Sequence, residues 1–316
     1  MKEQVGNVTL NYKYYSGIDL YSDGAIEDEI LGIVENHSEE EYEKIISERK
    51  NWAILYHLSH MRRNIIEWLP MTKEHKILEI GSGCGAITTG LADKAKMVTC
   101  IELSKKRSLI NAHRNKEREN IEILVGNFED VEKGLNQKYD YITLIGVFEY
   151  AENYISQEKP YHAFLKQLAK HLTPEGKIIM AIENRLGLKY WAGCREDHVG
   201  KYFEGIEGYP TTHGVKTFTK KELEQIVTES RLNIEKFYYP YPDYKLPMCI
   251  YSDEYLPKIN ELNLNMQNFD RTRMNLFDET KVYNTILSEG LFSIYSNSYL
   301  VIIGQEENSY ETSHLY

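Results

Sequence analysis

Short apolar runs alternate with stretches of helical periodicity from residue 76 onward. The first run spans 76–80, and others follow at 97–103, 121–125, 139–145, 177–183 (KIIMAIE), 233–240 (NIEKFYYP) and 299–304 (YLVIIG). Between them, the spacing predicts helices at 86–95 and 161–172, and a Thr219/Glu222 capping box opens another that runs to residue 229. Regular strand–helix alternation predicts a doubly wound α/β sheet, here with seven strands.

The flanks read differently. Residues 1–22 are polar and tyrosine-rich, without a strong period. Asp23 is placed to cap a helix whose Ile26, Ile30, Leu31 and Val34 share one face. Ser38 and Glu41 form a capping box that opens a helical stretch to Leu69, with a break near Asn51 and a stop at Pro70. The chain therefore divides into an N-terminal helical cap (1–70), a sheet domain (71–240, completed by 298–304) and an insertion (241–297). A second long connection, 184–216, follows the fifth strand. Ligands of open α/β sheets sit outside the carboxyl ends of the strands, and both connections leave from that edge, so they are expected to form a lid over an acceptor pocket.

Composition narrows the partners. Of 316 residues, 37 are Lys or Arg and 48 Asp or Glu, for a net charge of -11. That balance disfavours wrapping a phosphate backbone, which depends on basic side chains displacing counterions. Cys84, Cys100, Cys194 and Cys249 lie far apart with no C-x-x-C pair, so no metal knuckle is expected and no metal is assigned. There is no apolar leader and no run of spanning length, which predicts a soluble, cytoplasmic protein with no membrane partner, and the acidic balance predicts no nucleic-acid partner. Tyrosines outnumber phenylalanines 25 to 9, which suits a half-wet pocket gripping a polar ligand.

The chemistry centres on KILEIGSGCGAITTGL, which reads as a strand, a glycine turn and a helix start. Glycines let the backbone bend sharply and let a ligand lie against it, beside the unpaired N–H groups of a helix start. One βα unit later, Glu102 ends a strand where its carboxylate can accept hydrogen bonds from ribose hydroxyls. A dinucleotide site expects G-x-G-x-x-G, whereas this turn is G-S-G-C-G, which leaves a nicotinamide or nucleotide-sugar enzyme as the alternative. The embedded Glu79 and the third glycine, Gly85, resemble the first motif of the class I S-adenosylmethionine-dependent methyltransferases.

That resemblance covers residues 70–240 and 298–304, and it implies a Rossmann-like sheet whose seventh strand is antiparallel. It also implies a cofactor site of Glu79, Gly81, Ser82, Gly83, Gly85, Glu102, Leu103, Asn127, Phe128 and Gly146, with Asn127 at the adenine amino group and Phe128 flanking the ring. The run GVFEYA (146–151) resembles the motif after the fourth strand of small-molecule methyltransferases, with Tyr150 where a histidine is common. The (D/N/S)-P-P-(Y/F) motif of nucleic-acid base N-methyltransferases is missing there. The wording of 184–216 resembles methyltransferase domains found with bacterial glycosyltransferases and natural-product genes.

An O-methyltransferase acting on a small-molecule, peptide or saccharide acceptor is therefore expected, with S-adenosylmethionine as methyl donor and S-adenosylhomocysteine as product. If the acceptor is a hydroxyl it needs a base, for which His198 is the first candidate, with Glu149 and Tyr150 near the methyl group. His213 is the second candidate base and a further acceptor-side residue; if the acceptor is a carboxylate it needs only donors, and Arg62, Arg185 and Arg195 are candidates to hold it. A binding module that keeps the cofactor fold without turnover is the non-enzymatic alternative.

Overall fold

The computed structural model describes residues 1–19, 21–266 and 271–306. Its strands are β1 (Lys2–Val5), β2 (Val8–Tyr14), β3 (Lys76–Ile80), β4 (Met97–Glu102), β5 (Ile121–Gly126), β6 (Tyr139–Ile145), β7 (Leu172–Glu183), β8 (Leu232–Tyr241), β9 (Cys249–Ser252) and β10 (Ser298–Gln305). They form one sheet in the order β1-β2-β5-β4-β3-β6-β7-β10-β8-β9. Strands β3 to β7 pair in parallel, and β10 lies antiparallel between β7 and β8. The expected doubly wound sheet with an antiparallel last strand is present.

Both faces of the sheet are covered, which is why its central strands read as nearly continuous apolar runs. Ile77 packs on one side with Ile87, Leu91 and Val98, while Leu78 and Ile80 pack on the other with Ile142, Leu144 and Phe164. Because β3 lies between β4 and β6, the chain leaves it in opposite directions, and a crevice opens at the carboxyl ends of these strands.

The sheet has ten strands rather than seven. Residues 2–14, expected to have no strong period, form a hairpin of β1 and β2, and β2 runs parallel to β5 and extends the sheet. The signal lay in VTLNYKY, whose Val8 and Leu10 are fully buried while Thr9 and Asn11 point away, after a two-residue Gly6-Asn7 turn. The third extra strand, β9, adds to β8 from within the 241–297 insertion.

Asp23 does not cap the first helix, Ile26–Asn36; its carboxylate turns to His57 and Arg107 instead. The helical stretch after Ser38 breaks at Lys50, in the left-handed conformation, and Asn51 caps the next helix, Trp52–Leu58. A second break comes at Ser59, which caps the following short turn. These N-terminal helices bury Ile30, Ile54 and Leu58 against Cys84 of the glycine turn and Ile110 of the helix Lys105–Arg114. The two long connections meet as well: Met274 N–H donates to Gly193 O at 2.9 Å, and Asn184 donates to Ser296 O at 2.7 Å. None of the described helices is long and apolar enough to cross a membrane.

If the hairpin belongs to the folded core, Leu10→Ala will cost about 2–5 kcal/mol in denaturant unfolding. A loss below about 1 kcal/mol would show that the hairpin is a loosely held edge.

Candidate active site

The carboxyl ends of β3 to β6 open into a cavity of about 630 Å³, within the usual range of small-molecule sites. Gly81 turns the chain at φ 67°, and a Cβ there would lie 2.5 Å from Val147. The next turn of chain is held by Glu102: one carboxylate oxygen accepts Gly83 N–H at 2.7 Å and the other accepts Ser104 N–H at 2.9 Å. Beneath the loop, Glu79 accepts the Thr88 hydroxyl at 2.6 Å and the Cys100 thiol at 3.4 Å. Burial pushes Glu79 up to about 7. Glu79, Gly81, Ser82, Gly83, Glu102, Leu103, Asn127, Phe128 and Gly146 all line the cavity. Gly85 sits just behind it, at the start of the helix Ala86–Lys94, where a Cβ would meet the Asn111 amide at 2.5 Å.

The N-terminal segment is pinned over this end by Arg107. Its guanidinium meets Asp23 and Glu27 at 2.7 Å each and lies over the Tyr21 ring, 4.4 Å from the centroid. Nothing local in the sequence marked Arg107 or Tyr21, because their partners lie some 80 residues apart in the chain. Arg62 also reaches the cavity, where it stacks on Tyr56 and donates to the Tyr56 hydroxyl at 3.1 Å and to Lys245 O at 2.8 Å.

At the opposite end, Glu149 and Tyr150 follow β6, His198 arrives on the 184–216 connection, and Tyr244 and Lys245 come from the insertion after β8. The Tyr150 hydroxyl is 2.9 Å from His198 Nδ1. His198 Nε2 faces two carboxylates, Glu183 Oε2 at 3.4 Å and Glu149 Oε1 at 3.9 Å. Glu183 ends β7, and its other oxygen contacts the Lys245 ammonium. Lys245 also meets Asp197 at 3.1 Å, and the buried Lys189 joins Asp197 at 2.8 Å to Asp243 at 3.3 Å. Burial pushes Glu149 up to about 7. Burial opposes charge on His198, but the Glu183 and Glu149 carboxylates outweigh it and lift the imidazole to about 9. Burial would likewise raise Glu183, yet Lys245 and His198 hold it at about 2.

Three residues expected on the acceptor side stand elsewhere. Arg185 pairs with Glu222 at 2.6 Å, Arg195 stacks on Tyr202 and donates to Gly200 O and Thr272 O, and His213 is exposed. None of the three lines the cavity. Glu183, Lys189 and Lys245 were missed in the sequence because each is a single charge in an otherwise ordinary run.

Residues 78–178 match the family model described as a methyltransferase domain. A Staphylococcus carnosus protein described as an uncharacterized methyltransferase is 30% identical over 171 residues, which cover 53% of this chain and 74% of the relative. This chain belongs to the class I S-adenosylmethionine-dependent methyltransferases. S-adenosylmethionine is therefore its cofactor, and the nicotinamide alternative falls. The ribosomal RNA small subunit methyltransferase A of Borreliella burgdorferi is 35% identical over 101 residues, 32% of this methyltransferase but only 36% of that protein. Among solved structures, Haemonchus contortus phosphoethanolamine N-methyltransferase 1, in complex with phosphoethanolamine and S-adenosylhomocysteine, aligns at 13% identity with a TM-score of 0.48, covering 93% of this chain and 52% of that one.

Because Glu102 ties the glycine turn to β4, Glu102→Ala should weaken S-adenosylhomocysteine binding at least tenfold, about 1.4 kcal/mol. Calorimetric affinity equal to that of the unaltered methyltransferase would remove Glu102 from the cofactor site.

Proposed function

We propose that this methyltransferase transfers its methyl group to a hydroxyl oxygen of a small polar acceptor of polyol or saccharide type, and that Glu149 receives the hydroxyl proton. The observation that carries this reading is the Glu149 side chain: it is fully buried on the cavity wall after β6, and neither carboxyl oxygen has a hydrogen-bond partner. A hydroxyl approaching the methyl group supplies the missing partner.

A carboxylate acceptor fits the same wall poorly. It needs no base, and it would meet the Glu149 and Asp197 carboxylates, while Arg185 and Arg195 stand outside the cavity and the Arg62 guanidinium, which lines it, is engaged by Tyr56 and Lys245 O. A polyol suits the Tyr21, Tyr56, Tyr150 and Tyr244 side chains that line the site, with apolar rings and polar tips.

In this reading His198 is a positioning residue rather than the base, since Nδ1 is taken by Tyr150 and Nε2 faces Glu183 and Glu149. Glu102 accepts from the ribose, Asn127 and Phe128 bracket the adenine, and the Gly81–Gly83 backbone lies along the amino-acid portion. Methyl transfer from a sulfonium is an in-line displacement, so alignment and exclusion of water supply most of the catalysis.

The test uses S-adenosylmethionine carrying a tritiated methyl group, offered with paired panels of sugars, polyols and carboxylic acids. Ethers keep their label in mild alkali whereas methyl esters release it as methanol, so label that is wholly alkali-labile would overturn the hydroxyl assignment. With an accepted substrate, Glu149→Gln should lower turnover by about 10²–10⁴ while leaving S-adenosylhomocysteine affinity unchanged.

A further inference from the structure

Four buried polar atoms without hydrogen-bond partners converge at the acceptor end: both oxygens of Glu149, Glu183 Oε2 and His198 Nε2. One ligand atom from each of the three residues can be chosen so that all lie within 4.8 Å of one another. Glu149 and Glu183 are fully buried, and the His198 side chain is 7% exposed. Leaving a buried polar atom unpaired costs about 1–3 kcal/mol, and more when it is charged. A cluster of four such atoms calls for a bound species.

We infer that Glu149, Glu183 and His198 form a site for a divalent first-row cation, facing the acceptor cavity. The spacing favours an ion over direct pairing. Charge-assisted hydrogen bonds between these groups would close to about 2.7–2.9 Å, whereas Nε2 stands 3.4 and 3.9 Å from the two carboxylates. Two donors bonded to one ion at about 2.0–2.2 Å lie roughly 3.3–3.6 Å apart at a tetrahedral angle. The first separation lies in that range, and a slight turn of the Glu149 carboxylate brings in the second.

The surroundings prepare two of the three ligands. Tyr150 engages His198 Nδ1 and leaves Nε2 as the free donor, while Lys245 holds the other oxygen of Glu183. Outer partners of this kind orient metal ligands and fix the imidazole tautomer. Charge points the same way. The ammonium groups of Lys189 and Lys245 face the carboxylates of Asp197, Asp243 and Glu183, with Glu149 alongside. Four carboxylates thus outnumber the two ammonium groups, and a cation bound through a neutral imidazole offsets that excess in place of the proton His198 otherwise carries. One nitrogen and two carboxylate donors with an open cavity side suit Mn²⁺ or Zn²⁺.

The function of such an ion rests on the hydroxyl reading. Bound to the acceptor oxygen, it lowers the pKa of that hydroxyl. The proton passes to the Glu149 oxygen that does not bind the ion, the oxygen–methyl bond forms, and the sulfur–methyl bond breaks to leave neutral S-adenosylhomocysteine.

Chelator-treated full-length protein, with neither cofactor nor acceptor present, is titrated with Mn²⁺, following loss of the free-ion paramagnetic resonance signal, and with Zn²⁺ by calorimetry. We expect one ion per chain, weakened more than about 100-fold by Glu183→Gln and by His198→Gln, beyond the usual cost of losing an outer partner. Unchanged S-adenosylhomocysteine affinity certifies that each variant folds, and Glu149→Gln stands in for any that does not. Binding of neither ion, or equal affinity in the folded variants, overturns the site. A protein that forms alkali-stable product after chelation and binds neither ion loses the cation site but keeps the hydroxyl reading. One that binds Mn²⁺ as expected yet forms only alkali-labile product keeps the site and loses that reading.

Discussion

Two lysines set among carboxylates hold together the end of the cavity where Glu149 and His198 meet. Lys189 is 1% exposed and joins Asp197 to Asp243, while Lys245 joins Asp197 to Glu183 at the end of β7. Through these pairs the 184–216 connection, the insertion after β8 and the sheet itself become one wall. Removing one partner of a buried pair costs about 3–5 kcal/mol, because the other charge is left without compensation. The three segments are thus tied together for electrostatic reasons, beside the cavity.

The cofactor end is built on a different principle. There the backbone supplies the surface, and a few side chains hold it in place. Glu102 ties Gly83 to the end of β4, and Arg107 ties the N-terminal segment over the opening through Asp23, Glu27 and Tyr21. A site made of backbone tolerates little change in chain direction, which is why Gly81 admits no Cβ against Val147. The two ends share one cavity, one lined by backbone and the other by side chains.

This division explains what was legible in the chain. Strands β3 to β7 and β10 were readable because burial on both faces makes them short apolar runs, and the glycine loop was readable because its glycines and acids are local in sequence. The hairpin β1–β2 was overlooked although VTLNYKY alternates, since a strand buried on one face carries a weaker signal than a run buried on both. Arg185, Arg195 and His213 drew attention as charged residues in a long loop, but loop chemistry does not say which way a side chain turns, and all three engage groups outside the cavity or solvent.

The sequence by itself determined the doubly wound sheet, the antiparallel last strand and the glycine loop that lines the cavity, because each depends on periodicity or on residues within one βα unit. Glu149, Tyr150 and His198 stood out in the sequence as single residues, but only the tertiary structure brought them together and added Glu183, Lys189 and Lys245. Glu149, Glu183 and His198 come from three separate segments, and Lys245 reaches Glu183 from a fourth. Their meeting is a consequence of strand order at the carboxyl edge of the sheet, where β6 and β7 lie side by side and the chain beyond β8 folds back over them. Charges separated by tens of residues carry no local pattern, so their compensation becomes visible only when burial forces them to face one another.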